Sequence, residues 1–184
     1  MPEIYEPEED SYLISEVLRK EIPKILKINS RLKVLEIGCG SGINLQTIKE
    51  AGVNKKNILG SDINNIAVRH CINLGFNCIK SDLFNKIPKQ KFDLIIFNPP
   101  YLPMDKNEAE SSRTATTGGK MGNEIAIRFL KQAGNYLAEN GEIFLITSSL
   151  SENVNFIRLG YKPKEISYEK LFFEKLSVWE LIKL

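Results

Sequence analysis

Short apolar segments alternate with segments of helical period along this chain, and the alternation limits its fold more than any other feature. Strands that alternate with helices form parallel sheets, so the pattern predicts an α/β fold with helices on both faces of a mostly parallel sheet. The final two strands leave no room for a helix between them, so the last strand should be antiparallel. The predicted strands cover residues 33–37, 57–61, 76–80, 92–97, 142–147, 164–168 and 176–182.

The predicted helices rest on apolar residues that recur every three or four positions. The first helix follows an acidic lead and can be capped by Asp10 or Ser11. Residues 104–119 are polar and lack a period, which predicts a long loop. At 184 residues, the chain is expected to form one domain spanning residues 1–184. The other helices are expected around Leu45 and Ile48 and at residues 63–74, 123–137 and 154–159.

The segment VLEIGCGSG at residues 34–42 joins a strand to a helix through Gly38, Gly40 and Gly42. Closely spaced glycines let the backbone approach a ligand, with free N–H groups directed at anionic atoms. Ile43 stands where the dinucleotide fingerprint has its last glycine, which weakens a nicotinamide interpretation. A tight connection without a ligand is the alternative.

Acidic residues occur at or near the ends of the first three predicted strands, at Glu36, Asp62 and Asp82. Asp62 can accept both hydroxyl groups of a ribose. Asp82 can accept a hydrogen bond from an adenine amino group while Leu83 packs near the ring. Singly, Asp62 or Asp82 could be a helix cap or a turn residue, but together with the glycine turn the three predict a pocket for an adenine nucleoside with a charged tail.

The glycine turn and these acidic residues resemble those of the class I S-adenosylmethionine-dependent methyltransferases, over nearly the whole chain. The resemblance implies a Rossmann-like sheet of seven strands with an antiparallel last strand. It also implies that residues 38–42 lie under the amino-acid part of the cofactor, that Asp62 holds the ribose, and that Asp82 and Leu83 frame the adenine. Residues 1–30 would then be an N-terminal segment and helix that cover the cofactor.

The strand within FDLIIFNPPYLP, residues 92–103, ends in Asn98, Pro99, Pro100 and Tyr101. The two prolines end the strand and leave the carbonyl groups of Asn98 and Pro99 free to face a pocket. The Asn98 side-chain oxygen and a nearby carbonyl are acceptors suited to a planar NH₂ group, which the Tyr101 ring would hold flat beside the methyl donor. We therefore predict that all four residues are catalytic and that Asn98 also contacts the cofactor. A rigid turn is the alternative.

The NPPY string resembles that of amino methyltransferases acting on adenine or cytosine in DNA, on guanine in RNA, or on protein glutamine. The opening YEPEEDSYL, residues 5–13, resembles that of the archaeal and eukaryotic HemK-like enzymes, which methylate the Gly-Gly-Gln glutamine of class-1 translation release factors. This resemblance implies that Ser11 binds the cofactor's carboxylate and that Tyr5 and Pro7 lie across the pocket. A plain helix cap is also compatible with Ser11.

The segment TTGGKMG, from Thr116, resembles the Gly-Gly-x-x-Gly segment of the same enzymes, with Met121 where many relatives have an acidic residue. We predict a protein-glutamine methyltransferase. A nucleic-acid amino methyltransferase, a cofactor-binding protein without activity and a nicotinamide oxidoreductase are the alternatives.

The chain begins its first strand near Lys33, which matches the short form of the HemK-like enzymes. In eukaryotes that form depends on a small zinc-containing activator that covers an apolar edge of the sheet. The segment that could supply such an edge contains Ile72, Phe76, Cys78 and Ile79, for which an ordinary core strand is the alternative.

Composition excludes several other classes of protein. A formal charge of +2 without a basic stripe argues against binding through nucleic-acid phosphates. Cys39, Cys71 and Cys78 form no CxxC pair and His70 is the only histidine, so no metal site is expected. The sequence has no signal peptide and no membrane-length apolar run, which predicts a cytoplasmic protein.

Overall fold

The computed structural model describes residue 4, residues 6–105 and residues 116–184. Its helices are α1 (Glu9–Ile28), α2 (Ile43–Glu50), α3 (Asn65–Asn73) and α4 (Glu124–Ala133), with a 3₁₀ turn at Lys55–Asn57. Its strands are β1 (Val34–Ile37), β2 (Ile58–Asp62), β3 (Asn77–Lys80), β4 (Phe92–Phe97), β5 (Leu102–Pro103), β6 (Thr117–Gly119), β7 (Leu137–Ser148), β8 (Tyr161–Leu171) and β9 (Glu174–Lys183). None of the described helices combines the length and the apolar character needed to cross a membrane.

Seven of the described strands form one sheet in the order β3-β2-β1-β4-β7-β9-β8. Strands β1, β2, β3, β4 and β7 all run parallel to one another. Strand β9 lies between β7 and β8 and is antiparallel to both. The predicted mostly parallel sheet with an antiparallel last strand is confirmed. Strands β5 and β6 form a separate parallel pair.

Both faces of the sheet are covered, which explains the apolar run at residues 94–97 of β4. Leu94 and Ile96 face the core cluster that contains residues of α1, α2 and α3. Ile95 and Phe97 point to the opposite face and pack in the cluster that contains α4. Because successive side chains of a strand alternate between faces, a segment buried on both sides is apolar at consecutive positions. Helices on both faces are therefore confirmed.

The start of helix α1 differs from the prediction. Glu8 occupies the N-cap position with an extended backbone, at φ −121° and ψ −167°. Asp10 and Ser11, the predicted caps, lie in the first turn of the helix, and both are buried. A carboxylate in the first turn interacts favourably with the helix dipole, so the acidic lead still favours a helix start here.

Two further predictions need correction or restriction. No helix forms at residues 154–159. Residues 156–160 form turns instead, in which the amides of Phe156, Leu159 and Gly160 bond back over two or three residues and only one bond, from Leu159 to Asn155, has α-helical spacing. Phe156 is nevertheless buried and packs on Trp179, with ring centroids 5.3 Å apart. The loop predicted at residues 104–119 contains β6, and its residues 106–115 lie outside the described residues.

Glu142, in β7, provides a pH-dependent contribution to stability. Burial first, and then the carboxylates of Glu180 and Glu21, raise the pKa of Glu142 to about 7, while Lys164 offsets part of the shift. A carboxyl group whose pKa is raised on folding stabilises the fold below its unfolded pKa, and this contribution is lost as pH rises through the folded pKa. We therefore expect Glu142→Gln to raise the free energy of unfolding at pH 8 by about 1 kcal/mol, allowing for partial exposure.

The measurement is urea unfolding of both proteins at pH 4 and at pH 8. The difference between them should vanish at pH 4, because the wild-type carboxyl group is then protonated in both states. An equal difference at both pH values would show that the substitution acts through packing and not through the charge.

Candidate active site

A cavity of about 630 Å³ opens at the carboxyl ends of β1, β2 and β4, where ligands of open α/β sheets bind. We call it the main cavity. It brings together most of the predicted cofactor residues, namely Ser11, Glu36, Gly38, Gly40, Asp62, Asp82 and Leu83. Asn98, Pro99 and Pro100 of the predicted catalytic set line the same cavity. Gly42 and Tyr101 do not line it.

In the glycine turn, Gly38 lies close to a neighbouring side chain, whereas Gly40 faces open space. Gly38 has φ +70°, and a Cβ atom there would lie 3.3 Å from the Phe97 ring. At Gly40, with φ +47°, a Cβ atom would meet only the carbonyl oxygen of Gly38, at 4.0 Å. Gly42 differs from both, because a Cβ atom there would lie 3.1 Å from the Cys71 sulfur. Gly38 and Gly40 thus form the wall of the main cavity, whereas Gly42 allows α2 and α3 to pack closely.

Glu36 presents one unpaired carboxylate oxygen to this region. The side chain is 2% exposed, and its Oε1 accepts a hydrogen bond of 2.9 Å from Asn44 Nδ2. Asn44 is in turn fixed by Ser15, whose hydroxyl donates to Asn44 Oδ1 at 2.8 Å. Glu36 Oε2 is buried without a partner among the described residues. Burial raises the pKa of Glu36 well above its ordinary value. A cationic ligand beside Oε2 would favour the ionised form.

Asp62 connects the end of β2 to the glycine turn. Its Oδ2 accepts the N–H of Gly40 at 2.9 Å, and its Oδ1 accepts the N–H of Asn64 at 2.7 Å. Burial raises the pKa of Asp62 despite these hydrogen bonds. Each carboxylate oxygen has a second lone pair, so Asp62 can accept further hydrogen bonds from a ligand in the main cavity.

Asp82 is held by a residue that the sequence did not indicate. Arg128 of α4 forms an ion pair with Asp82 Oδ1 and lines the main cavity beside it. Nothing in the sequence marks Arg128, because its partner lies in a different segment and it is one of many charged residues on helices. The pair fixes the Asp82 carboxylate at the rim and leaves Oδ2 available for a ligand donor.

Leu83 adopts a left-handed backbone conformation, with φ +47°. The Ser81 hydroxyl donates to the Leu83 carbonyl at 2.8 Å and accepts the N–H of Lys86 at 3.0 Å. A left-handed conformation costs a non-glycine residue about 1 kcal/mol or more and is common at functional sites. The Ser81 bonds hold the turn in which the Leu83 side chain lines the main cavity.

Asn98 leaves a buried acceptor without a partner. Its Oδ1 is buried and accepts no hydrogen bond from any described residue. Pro99 and Pro100 follow directly, and neither carries an N–H group that could satisfy this oxygen. Buried polar atoms in folded proteins are nearly always paired, so an orphan acceptor in a cavity wall indicates that a ligand donor completes it.

Tyr101 lies on the other side of this segment. Its hydroxyl donates to Asp10 Oδ2 at 3.2 Å, and its ring packs against the core cluster that includes α1. It lines a second cavity of about 150 Å³, which we call the side pocket, together with Glu174 and Leu176. In this structure Tyr101 therefore lies outside the main cavity with its hydroxyl bonded to Asp10, and its stacking on a planar substrate group stays a prediction.

Ser11 reaches the main cavity from the first turn of α1. Its hydroxyl donates to Asp10 Oδ1 at 3.1 Å, so the same aspartate fixes both Ser11 and Tyr101. Pro7 is half-buried and does not line the main cavity. Tyr5, predicted to lie across the pocket, falls outside the described residues.

The Gly-Gly-x-x-Gly segment holds the backbone of the NPPY residues. A Cβ atom at Gly118 would lie 2.6 Å from the Pro100 carbonyl oxygen, and one at Gly122 would lie 2.4 Å from the Tyr101 carbonyl oxygen. Neither distance is possible for a side chain, so both glycines are required for this contact. Met121 is exposed and bonds through its backbone, whose N–H donates to the Glu124 carboxylate at 2.9 Å.

Comparison with known proteins shows what this chain is similar to. The family model described as "Methyltransferase small domain" matches residues 13–159. A putative protein N5-glutamine methyltransferase of Methanocaldococcus jannaschii is 37% identical over 195 residues, covering 98% of this chain and 93% of that protein. The eRF1 methyltransferase catalytic subunit mtq2 of Schizosaccharomyces pombe is 29% identical, over 99% of this chain and 90% of that protein.

Among solved structures, the E. cuniculi Mtq2–Trm112 complex, described as responsible for methylation of the translation termination factor eRF1, contains a chain with the same fold. The TM-score is 0.71 at 22% identity, and the match covers 100% of both chains. A match of this extent supports the predicted fold class.

Proposed function

This chain belongs to the methyltransferase small domain family, and we propose that it methylates the side-chain amide nitrogen of a protein glutamine, in the Gly-Gly-Gln motif of a class-1 release factor. The methyl donor is S-adenosylmethionine. The observation that carries the proposal is the orphan oxygen of Asn98 in the wall of the main cavity. The 37% identical relative is a putative protein N5-glutamine methyltransferase, which supports glutamine as the substrate.

The residues of the main cavity fit the nucleoside part of this cofactor. The volume of the main cavity, about 630 Å³, lies within the range of small-molecule sites. Asp62 keeps free lone pairs for the two ribose hydroxyls, and Asp82 Oδ2 can accept from the adenine amino group. Leu83 supplies an apolar surface for the ring.

The amino-acid part of the cofactor carries an ammonium and a carboxylate group. Glu36 Oε2, buried without a partner among the described residues, would accept from the ammonium group. Gly38 and Gly40 allow the backbone to come close. The Ser11 hydroxyl, which donates to Asp10 Oδ1 in this structure, would rotate to donate to the cofactor's carboxylate instead. The ammonium group of the cofactor would thus meet the Glu36 carboxylate, and its carboxylate group would meet the Ser11 hydroxyl.

Asn98 would orient the substrate amide. An amide nitrogen is a poor nucleophile because its lone pair is delocalised into the carbonyl group. When Asn98 Oδ1 and the Pro99 carbonyl accept its two N–H bonds, the nitrogen is held in one orientation. The bound cofactor supplies an electrophilic methyl group on sulfur. The acceptors then stabilise the positive charge that develops on the nitrogen, and a proton leaves after transfer.

The test is incubation with labelled cofactor and a class-1 release factor, either wild type or with the Gly-Gly-Gln glutamine replaced by alanine. We expect label in the wild-type factor and none in the variant. Equal labelling of both would contradict the proposed substrate. DNA and RNA oligonucleotides serve as parallel substrates, and transfer to them that falls steeply with salt would support a nucleic-acid enzyme instead. With a release factor as substrate, we propose that the reaction takes place in the cytoplasm.

A small activator subunit is also part of the proposal, because the similar E. cuniculi chain was solved in a complex with Trm112. Strand β3 is at the edge of the sheet and pairs only with β2 among the described strands. Phe76, predicted to contribute to the apolar edge, is buried in the core, since it packs with α1 and α2. Cys78 and Ile79 are half-buried, and Ile72 of the adjacent α3 is 49% exposed.

We expect Ile72→Asp to weaken the complex with such an activator by about tenfold or more, because a charge would be buried in an apolar interface. The measurement is the dissociation constant of the purified pair by calorimetry. Ile157→Asp is a matched control, since Ile157 is 57% exposed and lies in the turn segment remote from β3. Equal effects of the two variants would contradict an interface at β3. We propose that the activator contains zinc, which metal analysis of the complex would test.

A further inference from the structure

The fold brings all three cysteines of the chain to one place, although their spacing in the sequence indicated no metal site. Cys39 lies in the glycine turn after β1, Cys71 in α3 and Cys78 in β3. The three sulfur atoms all lie within 4.8 Å of one another. A turn, a helix and a strand supply one thiol each, so the spacing of the cysteines in the sequence does not resemble a CxxC motif.

Two glycines make this convergence possible. A Cβ atom at Gly60 of β2 would lie 2.8 Å from the Cys78 sulfur and 3.4 Å from Cys39 Cβ. A Cβ atom at Gly42 would lie 3.1 Å from the Cys71 sulfur. A side chain at Gly60 or Gly42 would therefore intrude into the space that the thiol groups occupy. This also accounts for Gly42, which does not line the main cavity.

The distances suit one ion with thiolate ligands. Zinc–sulfur bonds are about 2.3 Å, so two thiolates on one tetrahedral ion lie about 3.8 Å apart. Each pair of sulfurs here needs to approach by about 1 Å or less from the 4.8 Å limit, which small side-chain rotations supply. The Gly40 carbonyl oxygen, 3.6 Å from the Cys71 sulfur, is already directed at the cluster and can act as a fourth ligand.

We propose that Cys39, Cys71 and Cys78 form a binding site for one thiophilic divalent ion such as Zn(II), directly behind the glycine turn of the main cavity. Three thiolates select soft or borderline ions over Mg(II) or Ca(II). Cys78 is half-buried on the edge strand, which gives the ion a path to the site. Since Cys39 stands between Gly38 and Gly40, bound metal would attach the turn to α3 and β3. This metal-site proposal does not rest on the proposed substrate.

The test is titration of the full chain, reduced with a phosphine, with Cd(II) as a spectroscopic substitute for Zn(II). We expect a sulfur-to-cadmium absorption band that reaches its plateau at one ion per chain, and Zn(II) should displace the cadmium. Replacing any one cysteine with serine should weaken binding by at least about tenfold, because each contributes a ligand. His70→Ala is the matched control, since it changes the only histidine, next to Cys71, and should leave binding unchanged.

Thermal unfolding gives a second measurement. Cd(II) should raise the unfolding midpoint of the wild type and of His70→Ala, and should not raise that of Cys78→Ser, whose site is half-exposed and whose fold can be checked by circular dichroism. Absence of the band, binding that is insensitive to Cys78→Ser, or a disulfide forming in place of metal binding would overturn the proposal. Loss of binding in His70→Ala would also overturn the assignment of a three-cysteine site.

Discussion

Replacement of Asn98 by alanine should reduce methyl transfer by about 10²–10³-fold or more while leaving the cofactor dissociation constant within about threefold of wild type. The Asn98 oxygen has no partner among the described residues, so its removal takes away an acceptor without breaking a contact of the fold. Without it, the substrate amide loses its orientation and the stabilisation of charge on the reacting nitrogen. The measurement is single-turnover transfer under saturating cofactor, with calorimetry for cofactor binding.

Asn85→Ala provides the matched control for this variant. Asn85 is exposed in the turn after β3, and its backbone N–H donates to the Asp82 carbonyl oxygen at 3.1 Å. Its replacement should leave transfer unchanged. If Asn98→Ala weakened cofactor binding strongly and kept the transfer rate at saturating cofactor, Asn98 would serve the cofactor alone and would not be the group that orients the substrate.

The Asp62→Ala variant should show the opposite pattern. Two hydrogen bonds from ribose hydroxyls to a carboxylate are worth about 1.5 kcal/mol each, so their loss should raise the cofactor dissociation constant by about 10²-fold. The same substitution removes the acceptor of the Gly40 N–H, which loosens the glycine turn. At saturating cofactor the transfer rate should stay within about threefold of wild type, because Asp62 does not contact the reacting nitrogen.

Asp93→Ala is the matched control for Asp62→Ala. It also removes a carboxylate that accepts a backbone N–H group, but one that cannot contact the ribose. Asp93 Oδ2 accepts the N–H of Lys33 at 2.8 Å, at the amino end of β4 and thus away from the main cavity. Its replacement should leave the cofactor dissociation constant unchanged. A loss of transfer in Asp62→Ala that saturating cofactor does not restore would contradict the assigned role.

The elements that the sequence predicted well are those whose signals are local. β4 was predicted with its observed bounds, because residues 94–97 form the apolar run of a segment buried on both faces and two prolines follow the strand. The glycine turn and the acidic strand ends were predicted for the same reason, and Glu36, Asp62 and Asp82 do meet in one cavity. The carboxyl ends of parallel strands share one edge of the sheet, so position in the chain was sufficient to place them together.

What the sequence could not predict depends on contacts between distant segments. Arg128 reaches Asp82 from α4, 46 positions away, and no periodicity encodes that ion pair. The direction of Tyr101 depends on its bond to Asp10, 91 positions away. Residues 154–159 have helical spacing in the sequence, but Phe156 packs on Trp179 and the backbone forms turns around that anchor.

The position of β9 between β7 and β8 has a consequence for synthesis on the ribosome. Both neighbours precede β9 in the chain, so neither can pair with β9 until residues 174–183 have been made. Leu176, Val178 and Leu181 complete the core on the two faces of the sheet. The nascent chain must therefore keep one edge of β7 and an isolated β8 unpaired until late, and this interval is when it is most exposed to aggregation and most in need of chaperones.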